Sequence, residues 1–352
     1  MMLAFWLTAL TLIAPREAPP AACTLAGPSV DAHWTGTIPR ASTSAAPLQV
    51  VADLPLPGSA SRFDYQSLEP EAGRLFISHM GAGRLVVVDV RSARVLGDLD
   101  GFPVVTGVLA VPAEHRAYAS ATGDHAVVVV DDSSLKTVAR VAGPTFPDGL
   151  AYAPDERRVF ISDEAGQRDF VLDAATNAFV AQIDLGGEAG NTQYDSRSHC
   201  VIVAIQTANQ LAVIDPVTAR VVRRITLDQV VRHPHGVYVD APHRLALIAG
   251  EESATLGILD LRTLKLRAVL PTGDDPDVLA FDPALRRLYV AAESGVVAVF
   301  EERDDTLAQL GWYRAPHAHS VAVDPSTHRV YLPLANVGGR PVLRVLTPTD
   351  SH

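Results

Sequence analysis

The sequence predicts an all-β protein, a seven-bladed β-propeller built from four-stranded antiparallel blades. Three observations predict this fold. A segment recurs about every 42 residues, each repeat contains short β-branched runs separated by turn residues, and the 3.6-residue periodicity of amphipathic helices is absent. Four short strands in each of seven repeats are typical of propeller blades.

The repeat is clearest in two segments that align without gaps. Residues 147–164 (PDGLAYAPDERRVFISDE) and 276–293 (PDVLAFDPALRRLYVAAE) are identical at 8 of 18 positions and lie 129 residues apart, or three repeats of 43. Related segments give seven units in total, beginning near Asp64, Thr106, Asp148, Gly190, His235, Asp277 and His319. We therefore expect blades to begin near residues 62, 104, 146, 188, 232, 274 and 316.

Each unit reads as four strands in order. An apolar strand is followed by a Pro, Asp or His turn, a second apolar strand, a third such as residues 85–89 (LVVVD) and a fourth such as 94–99 (RVLGDL). The last unit supplies strands near 320–323, 329–332 and 342–346, with no fourth strand before His352. Residues 48–54 (LQVVADL) have the character of an outer strand. We expect this N-terminal strand to complete the last blade and close the ring.

The amino terminus predicts export. Residues 1–14 form an uncharged apolar run that suits a secretory signal and is too short to span a membrane. We predict a signal peptide over 1–23, an Ala/Ser/Pro-rich linker over 24–47 and the propeller over 48–352, with a periplasmic or secreted location and no transmembrane segment in the mature chain. Cys23 is either a lipid acceptor or an ordinary residue near a processing site, and we favour the second interpretation.

Composition and motifs exclude several classes of function. The balance of 29 basic and 40 acidic residues disfavours a nucleic-acid partner, which needs clustered Lys and Arg. No GxSxG, HExxH, P-loop or CxxCH motif occurs, which disfavours serine hydrolases, zinc proteases, nucleotide hydrolases and c-type haem proteins. Two cysteines cannot build a disulfide-rich scaffold, and we interpret Cys200 as a small buried hydrophobic residue.

Two columns of the repeat should face the central channel. The residue before each innermost strand and the residue after each second strand lie on one face of a propeller, near its axis. The columns have the same spacings and read Asp64, Thr106, Asp148, Gly190, His235, Asp277, His319 and Met80, Thr122, Glu164, Gln206, Glu251, Glu293, Ala335. Six carboxylates and two histidines among fourteen positions would repel unless a cation or shared protons relieved them.

These columns supply the candidate site. We expect a ligand to be bound by Asp148, Glu164, Glu188, Asn191, Gln206, His235, Glu251, Asp277, Glu293 and His319. A divalent metal ion, the one cofactor suggested, would use Asp148, Asp277, His235 and His319. Glu188 and Asn191 belong to a Gly-rich segment, 186–192, which we expect to bring both to the same face. The alternative interpretation is that these residues only cap turns at a wet opening.

A family resemblance rests on the second strands. Residues 76–79 (FISH), 160–163 (FISD), 289–292 (YVAA) and 331–334 (YLPL), with the repeat length, resemble the YVTN-repeat, YncE-like propellers of bacteria, without the final Asn of that motif. The resemblance spans nearly everything beyond residue 48. It implies an exported or surface-bound propeller, related to propellers that carry quinones, metals or haem.

Two functions follow as expectations. The first is binding of a small molecule, a metal ion or an exported protein partner at the channel mouth, without catalysis. The alternative is a metal-dependent enzyme similar to the gluconolactonase-like or streptogramin-lyase-like propellers, with a divalent cation in the channel that polarises a carbonyl or lactone oxygen. Neither follows from the fold alone, because one fold hosts many functions.

Overall fold

The computed structural model describes residues 21–41, 47–303 and 306–349 and contains seven antiparallel four-stranded blades, as predicted. Within these residues the helical structure is limited to four 3₁₀ turns, Met80–Ala82, Pro112–Glu114, Thr122–Asp124 and Glu251–Ser253. In the same ranges no helix has the length and apolar character needed to cross a bilayer. Residues 1–20 of the predicted signal peptide lie outside the described residues.

The strands follow one another from the channel outwards in each blade. The innermost strands are Gln66–Glu69, Val105–Val111, Pro147–Ala153, Ala189–Asp195, Pro234–Asp240, Pro276–Asp282 and Ala322–Asp324. The second strands are Arg74–His79, Arg116–Ala121, Arg158–Asp163, Cys200–Ile205, Leu245–Gly250, Arg287–Ala292 and Arg329–Val337. The third strands are Arg84–Asp89, Ala126–Asp131, Arg168–Asp173, Gln210–Asp215, Thr255–Asp260, Val296–Arg303 and Arg340–Pro348. The outermost strands of blades one to six are Arg94–Leu99, Thr137–Ala142, Ala178–Asp184, Arg220–Leu227, Lys265–Pro271 and Thr306–Arg314.

The ring closes as the sequence predicts. Leu48–Pro55 is the outermost strand of blade seven and pairs antiparallel with Arg340–Pro348, with Leu48 opposite Pro348 and Pro55 opposite Val342. A blade made from both ends of the chain holds the first and last repeats together. It also covers the strand edge that blade seven would otherwise expose.

The core lies between adjacent blades. Residues in the middle of the second and third strands are fully buried, as in Leu75–Ile77 and Leu85–Val88 of blade one, because each blade packs between two others. The outermost strands are mostly exposed on alternate residues. The rigid inner strands therefore position the side chains that face the channel.

The segment predicted to be a linker is partly structured. Val30–Ala32 pairs in parallel with Arg220–Leu227 and adds a fifth strand to blade four, and Cys23 forms a disulfide with Cys200. The predicted linker, 24–47, therefore contains a strand at Val30–Ala32 that the sequence analysis did not expect, and residues 42–46 lie outside the described residues. Cys200 is fully buried, yet it is a cystine rather than a free hydrophobic residue. The polar, aperiodic composition of the segment gave no sign of a three-residue strand.

Candidate functional site

One end of the channel, which we call the mouth, holds a cavity of about 250 Å³. It lies where the innermost strands begin and the second strands end. Eight of the ten predicted ligand-binding residues line it together: Asp148, Glu164, Gln206, His235, Glu251, Asp277, Glu293 and His319. Asp64 adds a sixth carboxylate, and Arg62 and His233 are also part of the lining.

Bulges in the innermost strands aim these side chains into the channel. The pairing of innermost and second strands shifts register between Pro147 and Leu150, and again at the equivalent positions of blades five and six. Asp148, His235 and Asp277 occupy these bulges, which are a common means of re-aiming a side chain. The glycine after His235 permits close approach of the next blade, because a Cβ on Gly236 would lie 1.8 Å from the carbonyl oxygen of Asp277.

Asp277 stands between the two channel histidines. Its Oδ1 lies 3.2 Å from Nε2 of His235, and its Oδ2 lies 2.9 Å from Nε2 of His319. Asp277 is 5% exposed, and its Oδ1 accepts no hydrogen bond from any described residue. The carboxylate is therefore buried among ligand-type groups, with one oxygen that forms an ion pair but accepts no hydrogen bond.

Each histidine also meets further carboxylates. His235 Nδ1 lies 3.6 Å from Glu251 Oε1, and its Nε2 lies 3.8 Å from Asp148 Oδ2. His319 Nδ1 lies 3.1 Å from Glu293 Oε1, and its Nε2 lies 3.1 Å from Asp64 Oδ1. Acidic oxygen atoms therefore lie near both imidazoles, and His319 also meets the Arg62 guanidinium, whose Nη2 is 3.1 Å from its Nε2.

The electrostatics of the mouth follow from this arrangement. Burial lowers the pKa of His235, but Asp277, Glu251 and Asp148 outweigh it and raise the pKa to about 9. Burial raises the pKa of Asp277, but His319 and His235 outweigh it and lower the pKa to about 2. Asp148 differs, because burial raises its pKa to about 7 despite the neighbouring His235. The mouth therefore holds positive charge on its imidazoles, where it offsets the carboxylates.

Two sets of three residues have metal-ligand geometry. The ligand atoms of His235, Glu251 and Asp277 all lie within 4.8 Å of one another, and so do those of Asp277, Glu293 and His319. Imidazole mixed with carboxylate suits divalent transition metals. The predicted set of Asp148, Asp277, His235 and His319 agrees only in part, because Asp148 belongs to neither set and Glu251 and Glu293 do.

Glu188 and Asn191 do not share one face, so this expectation is wrong. Glu188 is half-buried near the mouth, where its charge adds to the burial that raises the pKa of Glu164. Asn191 lines a cavity at the opposite end of the channel. Gly190 takes the first-column position, and the residue after it points away from the mouth.

Tyr65 is a channel residue that the sequence analysis missed. It lines both the mouth and the cavity at the opposite end. Its hydroxyl donates a hydrogen bond to Asp148 Oδ2 at 3.4 Å and lies 3.0 Å from His235 Nε2. Burial raises its pKa well above the usual value. A signal existed, because the equivalent positions in three other blades are glycines, Gly107, Gly149 and Gly236.

A larger cavity adjoins the mouth on the side where the ring closes. It has a volume of about 370 Å³ and shares Arg62, Glu293 and His319 with the mouth. Arg62 Nη2 lies 2.8 Å from Glu293 Oε1. This cavity is large enough for a small organic molecule next to the acidic cluster.

Comparisons with known proteins bear on the fold. The structure is similar to a chain of hydrazine synthase from Kuenenia stuttgartiensis, with a TM-score of 0.68 and 17% sequence identity, over 81% of this chain and 96% of that one. At this identity the likeness extends to the propeller fold alone. No family model and no curated protein matches the sequence.

Proposed function

We propose that this protein is a propeller that binds a divalent transition-metal ion at its channel mouth. The observation that carries the proposal is Asp277, a buried carboxylate that forms ion pairs with two imidazoles and whose Oδ1 accepts no hydrogen bond among the described residues. A metal ion would satisfy this oxygen and take the place of the imidazole protons that now offset the acidic charge.

The charge of the mouth favours a cation. Six carboxylates line the cavity, against one guanidinium and three imidazoles. Anions would be repelled unless a metal ion were already bound. Imidazole ligands favour a metal of the zinc or manganese class over calcium, which prefers oxygen ligands alone.

We further propose that the protein is exported, to the periplasm or beyond, and belongs among the YVTN-repeat, YncE-like propellers. The Cys23–Cys200 disulfide supports export, because disulfides persist in oxidising compartments, and it requires that any cleavage of the signal peptide fall before Cys23 rather than after it. The same bond engages the sulfur of Cys23, which favours an ordinary residue over a lipid acceptor. The 42-residue repeat and the closed seven-blade ring support the family assignment.

Metal analysis of the full chain tests the proposed function. The protein is purified without chelators or a His-tag, dialysed against a chelator-free buffer that contains trace zinc and manganese, and analysed by elemental mass spectrometry. We expect Asp277→Asn to lose one metal ion per chain, while Asp184→Asn, the same change on an exposed outer strand, loses none. Circular dichroism verifies that both variants fold. Equal metal content in the wild type and Asp277→Asn would refute the proposal.

The adjoining cavity of about 370 Å³ favours a second candidate function, a metal-dependent lactonase- or lyase-like activity. A metal ion at the mouth would polarise a carbonyl oxygen of a molecule bound in the adjoining cavity. Arg62 lines that cavity and would stabilise negative charge on the same oxygen. A panel of small lactones and other carbonyl compounds tests this. Turnover that a chelator abolishes would support catalysis, and no turnover by the metal-loaded protein would leave binding as the function.

A further inference from the structure

A second cluster of metal-ligand groups lies away from the channel, between blades five and six. Asp240 ends the innermost strand of blade five, His243 lies in the turn that follows, and Glu302 lies in the third strand of blade six. Nδ1 of His243 is 2.7 Å from Asp240 Oδ2 and 3.1 Å from Glu302 Oε1. The three ligand atoms lie within 4.8 Å of one another.

Glu302 is the unusual member of this cluster. It is 2% exposed, and neither carboxylate oxygen has a hydrogen-bond partner among the described residues. Its contacts with cationic groups are ion-pair contacts without a hydrogen bond, with Nε of Arg286 3.6 Å from Oε2 and Nδ1 of His243 3.1 Å from Oε1. The same position holds apolar residues in other blades, including the buried Ala174 and Leu261. Burying a carboxylate that accepts no hydrogen bond, where the fold accepts leucine, costs free energy unless a cation offsets its charge.

The interface between blades one and two contains the matching arrangement with its cation present. Glu69 and Asp132 occupy the positions equivalent to Asp240 and Glu302. Arg74 lies between them, with Nε 2.7 Å from Glu69 Oε2 and Nη2 3.6 Å from Asp132 Oδ2. The residue equivalent to Arg74 in blade five is Leu245. No guanidinium therefore bridges Asp240 and Glu302. Arg286 contacts Glu302 alone, and among the described residues only the imidazole of His243 faces both carboxylates.

We propose that Asp240, His243 and Glu302 bind a divalent transition-metal ion of the zinc class. The ion would offset the charge of the two carboxylates between blades five and six, as Arg74 does between blades one and two. One imidazole nitrogen and two carboxylates are ordinary zinc ligands. The half-exposed side of His243 gives solvent access for entry and for a water ligand. Because the site joins two blades, we expect the bound ion to stabilise the fold.

This site would also stiffen the mouth. The strand that ends at Asp240 begins at Pro234 and carries His235, and blade six carries Asp277. A metal ion that fixes blade five against blade six therefore fixes the distance between two mouth ligands. The proposal nevertheless stands independently of metal binding at the mouth, because it rests on different residues.

Zinc titration of the chelator-treated, full-length protein tests the proposal. We expect Glu302→Leu, which introduces the residue found at Leu261, to bind one zinc ion fewer than the wild type and to lose most of the zinc-dependent rise in Tm. Glu302→Gln, which keeps the size of the side chain, serves as a second variant if the leucine does not fold. Asp277→Asn should keep this zinc ion, so failure at the mouth is distinguishable from failure here. Wild-type stoichiometry and an unchanged zinc-dependent rise in Tm in the Glu302 variant would overturn the proposal.

Discussion

The two ends of the channel are built by the same seven strands and have opposite chemistry. Six carboxylates and three histidines line the mouth. The cavity at the other end, about 300 Å³ in volume, has no charged residue in its described lining, which is made of amides such as Asn191 and Gln193 and apolar side chains such as Leu279 and Phe281. Tyr65 lies between the two cavities and lines both.

The difference shows that the fold does not require charge along its axis. The opposite end fills its cavity lining with neutral residues, whereas burial raises the pKa values of Asp148, Glu164 and Glu251 at the mouth. Buried carboxylates reduce stability unless they are paired. Their concentration at one end, around the buried Asp277, is therefore not a need of the scaffold, and it is the basis of the proposed cation site.

We expect the largest loss of stability when the Tyr65 ring between the two cavities is removed. Tyr65→Gly introduces the residue found at the equivalent Gly107, Gly149 and Gly236, so the backbone tolerates it, but it removes the ring that separates the cavities. We expect the free energy of unfolding to fall by about 4 kcal/mol, as for other large-to-small changes in a core. Urea denaturation measures this loss.

Tyr65→Phe is the matched control, because it keeps the ring and removes only the hydroxyl that bonds to Asp148. We expect a loss of about 1 kcal/mol. If the glycine variant lost no more unfolding free energy than the phenylalanine variant, the packing of the ring between the two cavities would contribute nothing to stability.

A buried carboxyl away from the mouth gives the next largest effect. Asp169 is fully buried, and neither oxygen has a hydrogen-bond partner among the described residues. Equivalent positions in other blades are aliphatic: Leu85, Val127, Leu211, Leu256 and Val297. Burial raises the pKa of Asp169 well above its usual value, and the charge of Asp163 raises it further. We expect Asp169→Val to raise the free energy of unfolding at pH 7 by about 2 kcal/mol.

The pH dependence of this gain follows from linkage. A carboxyl whose pKa is raised in the folded state loses stability as pH rises above its unfolded pKa, because the unfolded chain ionises first. The gain from Asp169→Val should therefore be greatest near neutral pH and shrink as pH falls towards about 4. A gain that did not change between pH 7 and pH 3.5 would mean that the carboxyl is ionised in the folded protein.

Substitution at the opposite end gives the smallest effect. Gln193→Ala alters the neutral cavity while leaving every mouth residue in place. We expect zinc affinity at the mouth to stay within about twofold of the wild type, which is less than 0.5 kcal/mol. Isothermal titration measures it, and a loss comparable to that of Asp277→Asn would show that both ends contribute to one site.

Much of the architecture could be predicted from the sequence because the repeat carries it. The spacing of 42 residues identified the strands, the closing strand and the two columns, and eight mouth residues follow from those columns. The observed metal-ligand sets contain Glu251 and Glu293, whereas the predicted set contained Asp148. The columns predict which residues face the mouth, but they do not predict which of those side chains lie close together.

The sequence-based predictions fail at residues that depart from the repeat or lie outside it. Asn191 lies in the blade that departs from the repeat, one position past the column, so its side chain points away. Tyr65 and Glu302 lie at positions that are small or apolar in most other blades, so the repeat does not predict their side chains. The Cys23–Cys200 bond joins the repeat to a segment outside it, and no spacing relates the two.

Anomalous diffraction at the zinc absorption edge, from crystals of the full chain soaked in zinc, tests the central claim most directly. We predict a peak at the mouth about 2 Å from a carboxylate oxygen of Asp277 and from an imidazole nitrogen of His235 or His319. A mouth without an anomalous peak, with Asp277 still at hydrogen-bonding distance from both histidines, would contradict the account.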